Sequence, residues 1–173
     1  MMYSKQKGGF SMTEEEKKKY CVCFTGHRPE KLLRTQEEIQ QELEICIRQA
    51  IQDGFPIFIT GMAQGVDLWA AEIVLALRRE GQPVKLVCAV PFEGCEKNWP
   101  THWKEIYRAV LREADRVHVL CPGYTRFCYA LRNRWMVDHA ARLIAVSNGR
   151  KGGTQNTMAY ARKKAVPIIY IKG

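Results

Sequence analysis

The sequence predicts an α/β fold: a single doubly wound, mostly parallel Rossmann-like sheet with helices on both faces. Strand-like and helix-like segments alternate along the chain, as a parallel sheet with helical crossovers requires. The chain has 173 residues, of which 46% are hydrophobic, so one domain with a sizeable core is expected. No apolar run approaches the roughly 18 residues that a membrane span needs.

The first part of the sheet is predicted from two strands, each followed by a helix. Residues 20–25 form an apolar strand. Residues 36–53 form an amphipathic helix with one apolar face, made of Ile39, Leu43, Ile47 and Ala50. Residues 56–60 form a second strand around a short apolar run of the kind found in covered parallel strands. Residues 66–80 form the next helix, which ends before Gly81 and Pro83.

The same alternation continues to the end of the chain. Strands are predicted at residues 84–90, 116–120, 142–146 and 167–171, and helices at residues 99–112, 127–140 and 153–164. Pro91 is expected to end the third strand. Six strands and five helical connections result, so ligands are expected beyond the carboxyl ends of the strands, where the strand order reverses.

The N-terminal residues 1–19 differ in character from the rest. They are polar, end in three Glu followed by three Lys, and lack the apolar core of a signal peptide. We therefore predict a flexible arm with some helix at 1–19, a folded domain at 20–173 and a cytoplasmic location.

The seven cysteines do not follow a metal-binding pattern. Four of them lie in or just beyond apolar strand-like runs, where free thiols act as small hydrophobic groups: Cys21, Cys23, Cys88 and Cys121. The chain has no CxxC pair and no His at metal spacing. We expect buried, reduced thiols and no metal site.

The net charge of +9 is concentrated at the C-terminal end. Residues 1–125 hold 17 basic and 17 acidic side chains, whereas residues 126–173 hold ten basic side chains and one acid, Asp138. This distribution favours an anionic partner, either a phosphate ligand or nucleic acid. A solvated basic face that keeps the protein soluble would look the same.

The segment from Gly61 to Asp67 is the most informative loop. It follows the second strand and opens a helix, and Gly61 and Gly65 allow a sharp turn and a close approach to a ligand. Backbone N–H groups at such a helix start bind anions. Asp67 suits the helix dipole or a ribose hydroxyl. Met62 and Ala63 lie between the glycines. The loop could also be only a tight turn.

Other loops after strands add candidate ligand groups. After the first strand, Gly26 permits a turn, and His27 and Arg28 offer donors to phosphate. After the third and fourth strands, Trp99 and Tyr124 could stack on a base. Asn133 could bind a base edge. The fifth strand is followed by a second glycine-rich loop at a helix start, a predicted phosphate cradle formed by Arg150, Gly152, Gly153 and Thr154.

Four motifs resemble a known family. CFTGHRP at 23–29, GMAQGVD at 61–67, RNRWMVD at 132–138 and GGT at 152–154 occur in the order found in the YpsA-like branch of the SLOG superfamily, named for the Smf/DprA and lonely-guy proteins. The resemblance covers about residue 20 to the C-terminus. It implies a Rossmann-like domain that binds a nucleotide or nucleotide-derived ligand through Gly26, His27, Arg28, Gly61, Gly65, Asp67, Asn133, Gly152, Gly153 and Thr154.

The branches of this superfamily differ in activity, so the resemblance implies different functions depending on the branch. The YpsA-like branch is linked to bacterial cell division and stress responses, without settled chemistry. Lonely-guy enzymes are phosphoribohydrolases whose PGGxGTxxE signature supplies a catalytic Glu. Here Gly152-Gly153-Thr154 is followed by Gln155-Asn156-Thr157-Met158, with no Glu nearby, which argues against that activity. The DprA branch binds single-stranded DNA.

The leading hypothesis is a sensor or regulatory module for a nucleotide-like phosphate ligand, with no cofactor assigned. Arg28 and Arg150 would neutralise phosphate, and Asp67 or Asn133 would contact ribose or base. Replacing Asp67 with Ala is then expected to weaken binding without unfolding the protein. One alternative is a nucleotide hydrolase of the phosphoribohydrolase type that uses Glu72, Glu93 or Glu96. Another is single-stranded nucleic-acid binding by the basic C-terminal face. A homo-oligomer is suggested by family analogy.

Overall fold

The computed structural model describes residues 12–173, and it confirms the predicted fold class. Six parallel strands form one sheet in the order β4-β3-β2-β1-β5-β6. The strands are β1 (Cys21–Gly26), β2 (Ile57–Thr60), β3 (Lys85–Phe92), β4 (Arg116–Cys121), β5 (Arg142–Ser147) and β6 (Ile168–Lys172). Their ends lie within two residues of the predicted bounds.

The five predicted crossover helices are all present. They are α2 (Gln36–Gln52), α3 (Val66–Arg79), α4 (Thr101–Glu113), α5 (Cys128–Asp138) and α6 (Gly153–Lys163). A short helix α1 (Glu14–Lys18) precedes the sheet, and a 3-10 turn (Pro29–Lys31) follows β1. Thr35 begins α2 with a capping box, in which its side chain and that of Glu38 each accept a bond from the other's backbone N–H.

Each face of the sheet packs against its own set of helices. Side chains alternate along a strand, so Val22 and Phe24 point into the core beneath α2, α3 and α4. Cys21 and Cys23 point to the opposite face, which α5 and α6 cover. The predicted apolar face of α2 is fully buried, as expected for Ile39, Leu43, Ile47 and Ala50.

The prediction that Pro91 ends the third strand is wrong. Strand β3 continues through Pro91 to Phe92, which pairs with Cys121 of β4. The pairing of β3 with β2 stops at Cys88, opposite Thr60. Beyond that point β3 has a neighbour on one side only, so a proline without an N–H group removes no ladder bond there.

The strand order creates a crevice at one place. Strands β2, β3 and β4 follow on one side of β1, and β5 and β6 lie on its other side. The connection that follows β1 leads to β2 on one side, and the connection that follows β5 leads to β6 on the other. The two connections therefore diverge at the carboxyl ends of β1 and β5. This is the position at which open α/β sheets bind ligands.

The N-terminal arm and the cysteines were also predicted. Helix α1 accounts for part of the predicted arm, and residues 1–11 of that arm lie outside the described residues. Cys21, Cys23, Cys88 and Cys121 are buried free thiols, as predicted. Within residues 12–173, no helix is long and apolar enough to cross a membrane.

Candidate functional site

A cavity of about 210 Å³ lies at the carboxyl ends of β1, β2, β3 and β5. The loops that follow these strands form its walls, and α5 contributes one side. Most of the site residues predicted from the sequence line it, namely Gly26, His27, Arg28, Gly61, Met62, Ala63, Asp67, Trp99, Asn133, Gly152, Gly153 and Thr154. The fold thus brings together residues from both glycine-rich loops.

Three predicted site residues lie outside this cavity. Gly65 begins α3 with φ of 87° and packs against Pro29, which fits a role in the turn. Tyr124 is 70% exposed, and its ring lies edge-on to Phe92 with centroids 5.5 Å apart. Arg150 is exposed, and its backbone N–H is bonded to the side chain of Asn148. The structure therefore does not place these three with the others.

The cavity also contains side chains that the sequence reasoning missed. Arg132, Lys31 and Tyr129 line it, together with Thr25, Gln64, Pro91 and Cys95. Lys31 lies in the 3-10 turn after β1, and the run of polar residues that follows Gly26 could have indicated it. Arg132 begins the motif at 132–138, but the sequence predicts only Asn133 of that motif as a site residue. Nothing local marks Tyr129, because it lies inside a helix that starts far from the other loops in sequence.

Asp67 and Arg132 form a buried ion pair at the base of the cavity. The Arg132 Nη1 atom lies 3.7 Å from Asp67 Oδ2, and both side chains are over 90% buried. The Arg132 Nε–H also donates to Asn133 Oδ1 at 2.7 Å. Burial raises the pKa of Asp67 to about 6, although the Arg132 charge opposes this shift. The Arg132 guanidinium thus favours the ionised form of the carboxylate, against the effect of burial.

Hydrogen bonds with Thr60 and Asp67 hold the loop that follows β2. The Thr60 hydroxyl donates to the backbone carbonyl of Asp67 at 2.8 Å and accepts from the Met62 N–H at 3.2 Å. The Ala63 N–H donates to Asp67 Oδ2 at 3.4 Å. Met62 adopts a φ of 61°, a left-handed conformation that is uncommon for residues other than glycine. Asp67 thus fixes the loop from inside, as well as lining the cavity.

His27 belongs to a buried hydrogen-bond network with β5. Its Nε2 atom lies 3.3 Å from Ser147 Oγ. The same oxygen accepts bonds from the Gly149 N–H at 3.1 Å and the Gln155 Nε2–H at 2.8 Å. Because both lone pairs of Ser147 Oγ are used, its own O–H donates to His27 Nε2. A neutral His27 then carries its proton on Nδ1, where it is available as a donor.

The contribution of His27 to the stability of the fold is expected to be lost in mild acid. Burial lowers the pKa of His27, and the nearby charges of Lys31 and Arg150 lower it further. The native state then binds fewer protons than the unfolded state, so stability is complete above about pH 6.5 and falls below it. We expect the stability advantage of the wild type over His27→Gln to shrink from pH 7 to pH 5 in urea unfolding. Parallel curves for the two proteins would contradict this.

The cavity is suited to an anion. Three cationic side chains line it, those of Arg28, Lys31 and Arg132, and its only lining carboxylate in the described chain is Asp67. The first residues of α6, Gly153 and Thr154, lie on the same wall. Unpaired backbone N–H groups at a helix start add partial positive charge.

The acidic residues named for a hydrolase lie elsewhere. Glu93 and Glu96 belong to the turn after β3 and do not line the cavity. Glu72 lies on α3 in a separate surface cleft between α3 and α4. The only carboxylate of the described residues that could act in the cavity is therefore Asp67, which is already paired with Arg132.

A family model matches almost the whole sheet. The YpsA model, described as the YspA SLOG family, matches residues 22–172. The chain belongs to this SLOG family. All six strands and all of the cavity lining fall within the matched range, apart from the first residue of β1. The resemblance found in the motifs is thereby confirmed.

Similar bacterial proteins cover most of the chain. A UPF0398 protein of Bacillus pumilus is 27% identical over 160 residues, which is 87% of this chain and 86% of the relative. The SPbeta prophage-derived protein YoqJ of Bacillus subtilis is 33% identical over 118 residues, covering 61% and 69%. The alignment with the Bacillus pumilus protein thus covers most of both chains.

Two solved structures share the fold. One is DNA processing protein A from Helicobacter pylori, described for its single-stranded DNA binding mode, with a TM-score of 0.64 and 18% identity. The other is DprA from Streptococcus pneumoniae, with a TM-score of 0.66 and 19% identity. The alignments cover 88% and 90% of this chain but 65% and 51% of those chains. At this identity the likeness establishes the Rossmann-like fold.

Proposed function

We propose that the protein binds a nucleotide or nucleotide-derived phosphate ligand in this cavity and acts as a sensor or regulatory module. The observation that carries the proposal is the convergence of two cations, those of Arg28 and Lys31, with the start of α6 at the switch point of the sheet, beside the Asp67–Arg132 ion pair. A phosphate group is the ligand chemistry that such donors recognise. Membership of the SLOG family supports the same class of ligand.

Each part of the ligand has a proposed partner. Phosphate would lie at Gly152, Gly153 and Thr154, with Arg28 and Lys31 neutralising its charge. The Asn133 amide would contact a base edge or ribose. Trp99 and Tyr129 both line the cavity, and the ring of either could stack on a base. Tyr129 replaces Tyr124 in this role, since Tyr124 lies outside the cavity.

A ligand screen tests the proposal directly. AMP, ADP, ATP, NAD, ADP-ribose and cyclic dinucleotides would be tested by thermal shift, with products checked by chromatography. A ligand that binds only the folded state stabilises it by about 2.7 kcal/mol at a hundredfold excess over Kd. A shift without turnover supports a sensor, and turnover would establish an enzyme. No shift with any of these compounds would contradict the proposal.

Arg28→Ala should weaken binding of whichever compound gives the shift. Loss of one hydrogen bond to a charged group costs about 1.5–3 kcal/mol, which corresponds to roughly 10-fold to 100-fold in Kd. Titration calorimetry would measure the change. Arg108→Ala is the matched control, because it removes the same charge from an exposed position on α4, outside the cavity. Equal losses in the two variants would contradict the proposed position of the phosphate.

The hydrolase alternative has less support from this geometry. The hydrolase hypothesis gives the acid or base role to one of three Glu side chains, which would have to lie within hydrogen-bond reach of the substrate. Glu72, Glu93 and Glu96 do not line the cavity, and the Asp67 carboxylate is engaged by Arg132 and by the Ala63 N–H. Binding without turnover is therefore the preferred proposal.

A further inference from the structure

A second hollow lies directly beside the cavity, between α5 and α6. It encloses about 660 Å³, and Tyr129, Asn133 and Gly153 line both it and the cavity. We call this hollow the α5–α6 groove. Its remaining walls come from Arg126, which precedes α5, and from residues of the two helices, namely Ala130, Arg134, Asn156, Thr157, Ala159, Tyr160 and Lys163. The groove is therefore a continuation of the cavity along the protein surface.

The charges of the groove are all positive. Arg126, Arg134 and Lys163 line it, and no carboxylate does so in the described part of the chain. Over residues 12–173, none of these three cations forms an ion pair. The only acid of the C-terminal region, Asp138, is engaged by Lys164 at 3.6 Å. The three cations are thus available to an anionic partner.

Aromatic side chains and small side chains also line the groove. Tyr129 is 39% exposed at the junction with the cavity, where its ring lies edge-on to Phe92. The guanidinium of Arg134 lies over the ring of Tyr160, 5.6 Å from its centroid, which holds this cation at the wall. Ala130 and Ala159 leave room between the helices for a backbone to approach.

We propose that the α5–α6 groove binds the sugar–phosphate backbone of a single-stranded nucleic acid, one nucleotide of which occupies the cavity. This inference rests on the proposed function, because the cavity supplies the first nucleotide site. The following phosphates would contact Arg126, Arg134 and Lys163. Tyr129 would stack on the base at the junction. A single strand is favoured over a duplex, because stacking on a side chain requires an unpaired base.

The first experiment compares chain lengths. Fluorescence anisotropy would measure binding of thymidylate and adenylate probes, from mononucleotides to oligomers of about eight nucleotides, a site size typical of single-strand binders. Oligomers are expected to bind at least tenfold more tightly than mononucleotides. With three phosphate contacts, the logarithm of the association constant should fall with log salt at a slope of about −2. Ribose and deoxyribose probes would distinguish RNA from DNA.

The second experiment tests the groove itself. Arg134→Ala combined with Lys163→Ala should lower oligomer affinity at least tenfold, reduce the salt slope to about −0.7, and leave mononucleotide affinity unchanged. Arg162→Ala is the matched control. Arg162 is an exposed cation of the same helix, and it lines a different hollow, near β6. The control should bind oligomers with the wild-type affinity, and the slope of its log association constant against log salt should stay close to that of the wild type.

Each outcome has a distinct meaning. Mononucleotides that bind as tightly as oligomers would overturn the groove proposal and leave the proposed function intact. Equal effects of the double variant and the Arg162→Ala control would overturn it as well. Oligomer binding that depends on the groove, without any mononucleotide binding, would support the backbone contacts of the groove and contradict the placement of a nucleotide in the cavity. No binding of any probe would overturn the groove proposal, and the proposed function would then be decided by the ligand screen.

Discussion

Asp67→Ala is expected to lower the free energy of unfolding by about 3–5 kcal/mol, because it leaves the buried Arg132 guanidinium without its partner. The Ala63 N–H would lose its acceptor at the same time. Urea unfolding at pH 7 would measure the loss. The motif alone suggested that this variant weakens ligand binding without affecting the fold. The structure changes that expectation, since Asp67 is held inside the protein by a charge from α5.

Two further variants make this result specific to the pair. Glu93→Ala removes a carboxylate from an exposed turn, so its effect should stay within about 0.5 kcal/mol. Asp67→Ala combined with Arg132→Met removes both charges and keeps an apolar side chain of similar length. The double variant should be more stable than Asp67→Ala alone. If Asp67→Ala matched the wild type in stability, the ion pair would not be a structural element.

Gly26→Ala is expected to destabilise the protein by about 3 kcal/mol through overpacking. An added Cβ atom would overlap Cβ and Cγ2 of Val66 and lie 2.6 Å from its Cγ1 atom. Val66 is buried in the first turn of α3 and cannot move aside, so β1 and α3 would have to separate. For a chain of this size the melting temperature should fall by roughly 6–12 °C, which calorimetry would measure.

Gly123→Ala is the control for this prediction. Gly123 follows β4, no atom lies within 4 Å of the position of an added Cβ, and its φ is not in the left-handed region. Alanine there should be neutral or stabilise by up to about 1 kcal/mol, because it restricts the unfolded chain. Similar losses in both variants would show that close packing of Gly26 on Val66 is not the cause.

Gly26 also shows what kind of information the sequence carries about the site. The sequence predicts that this glycine permits a turn beside a ligand, and the residue lines the cavity. Its structural role is different: the residue lies close to the start of α3, and a side chain has no space. The motif identified the position, and the packing of two elements 40 residues apart gave the reason.

Some residues of the candidate site could be predicted from the sequence, and others could not. Residues in loops directly after strands could be predicted, because parallel strands place these loops at one edge of the sheet. The predicted Tyr124 and Arg150 follow strands as well, yet they point to solvent. Tyr129 was not predicted, although it lines both the cavity and the groove. Which side of a loop or helix faces the crevice depends on the final packing and has no local signal.

The sequence by itself determined the elements of this SLOG protein: the alternation of strands and helices, the apolar face of α2, and the glycine turns that follow β1, β2 and β5. These are local features, since apolar periodicity and turn residues act within a few positions of the chain. Tertiary structure alone decided the pairs that shape the site. Arg132 meets Asp67, and His27 meets Ser147, from positions far apart in sequence. Burial then gives these contacts their strength, because removal of water strengthens interactions between charges and polar groups.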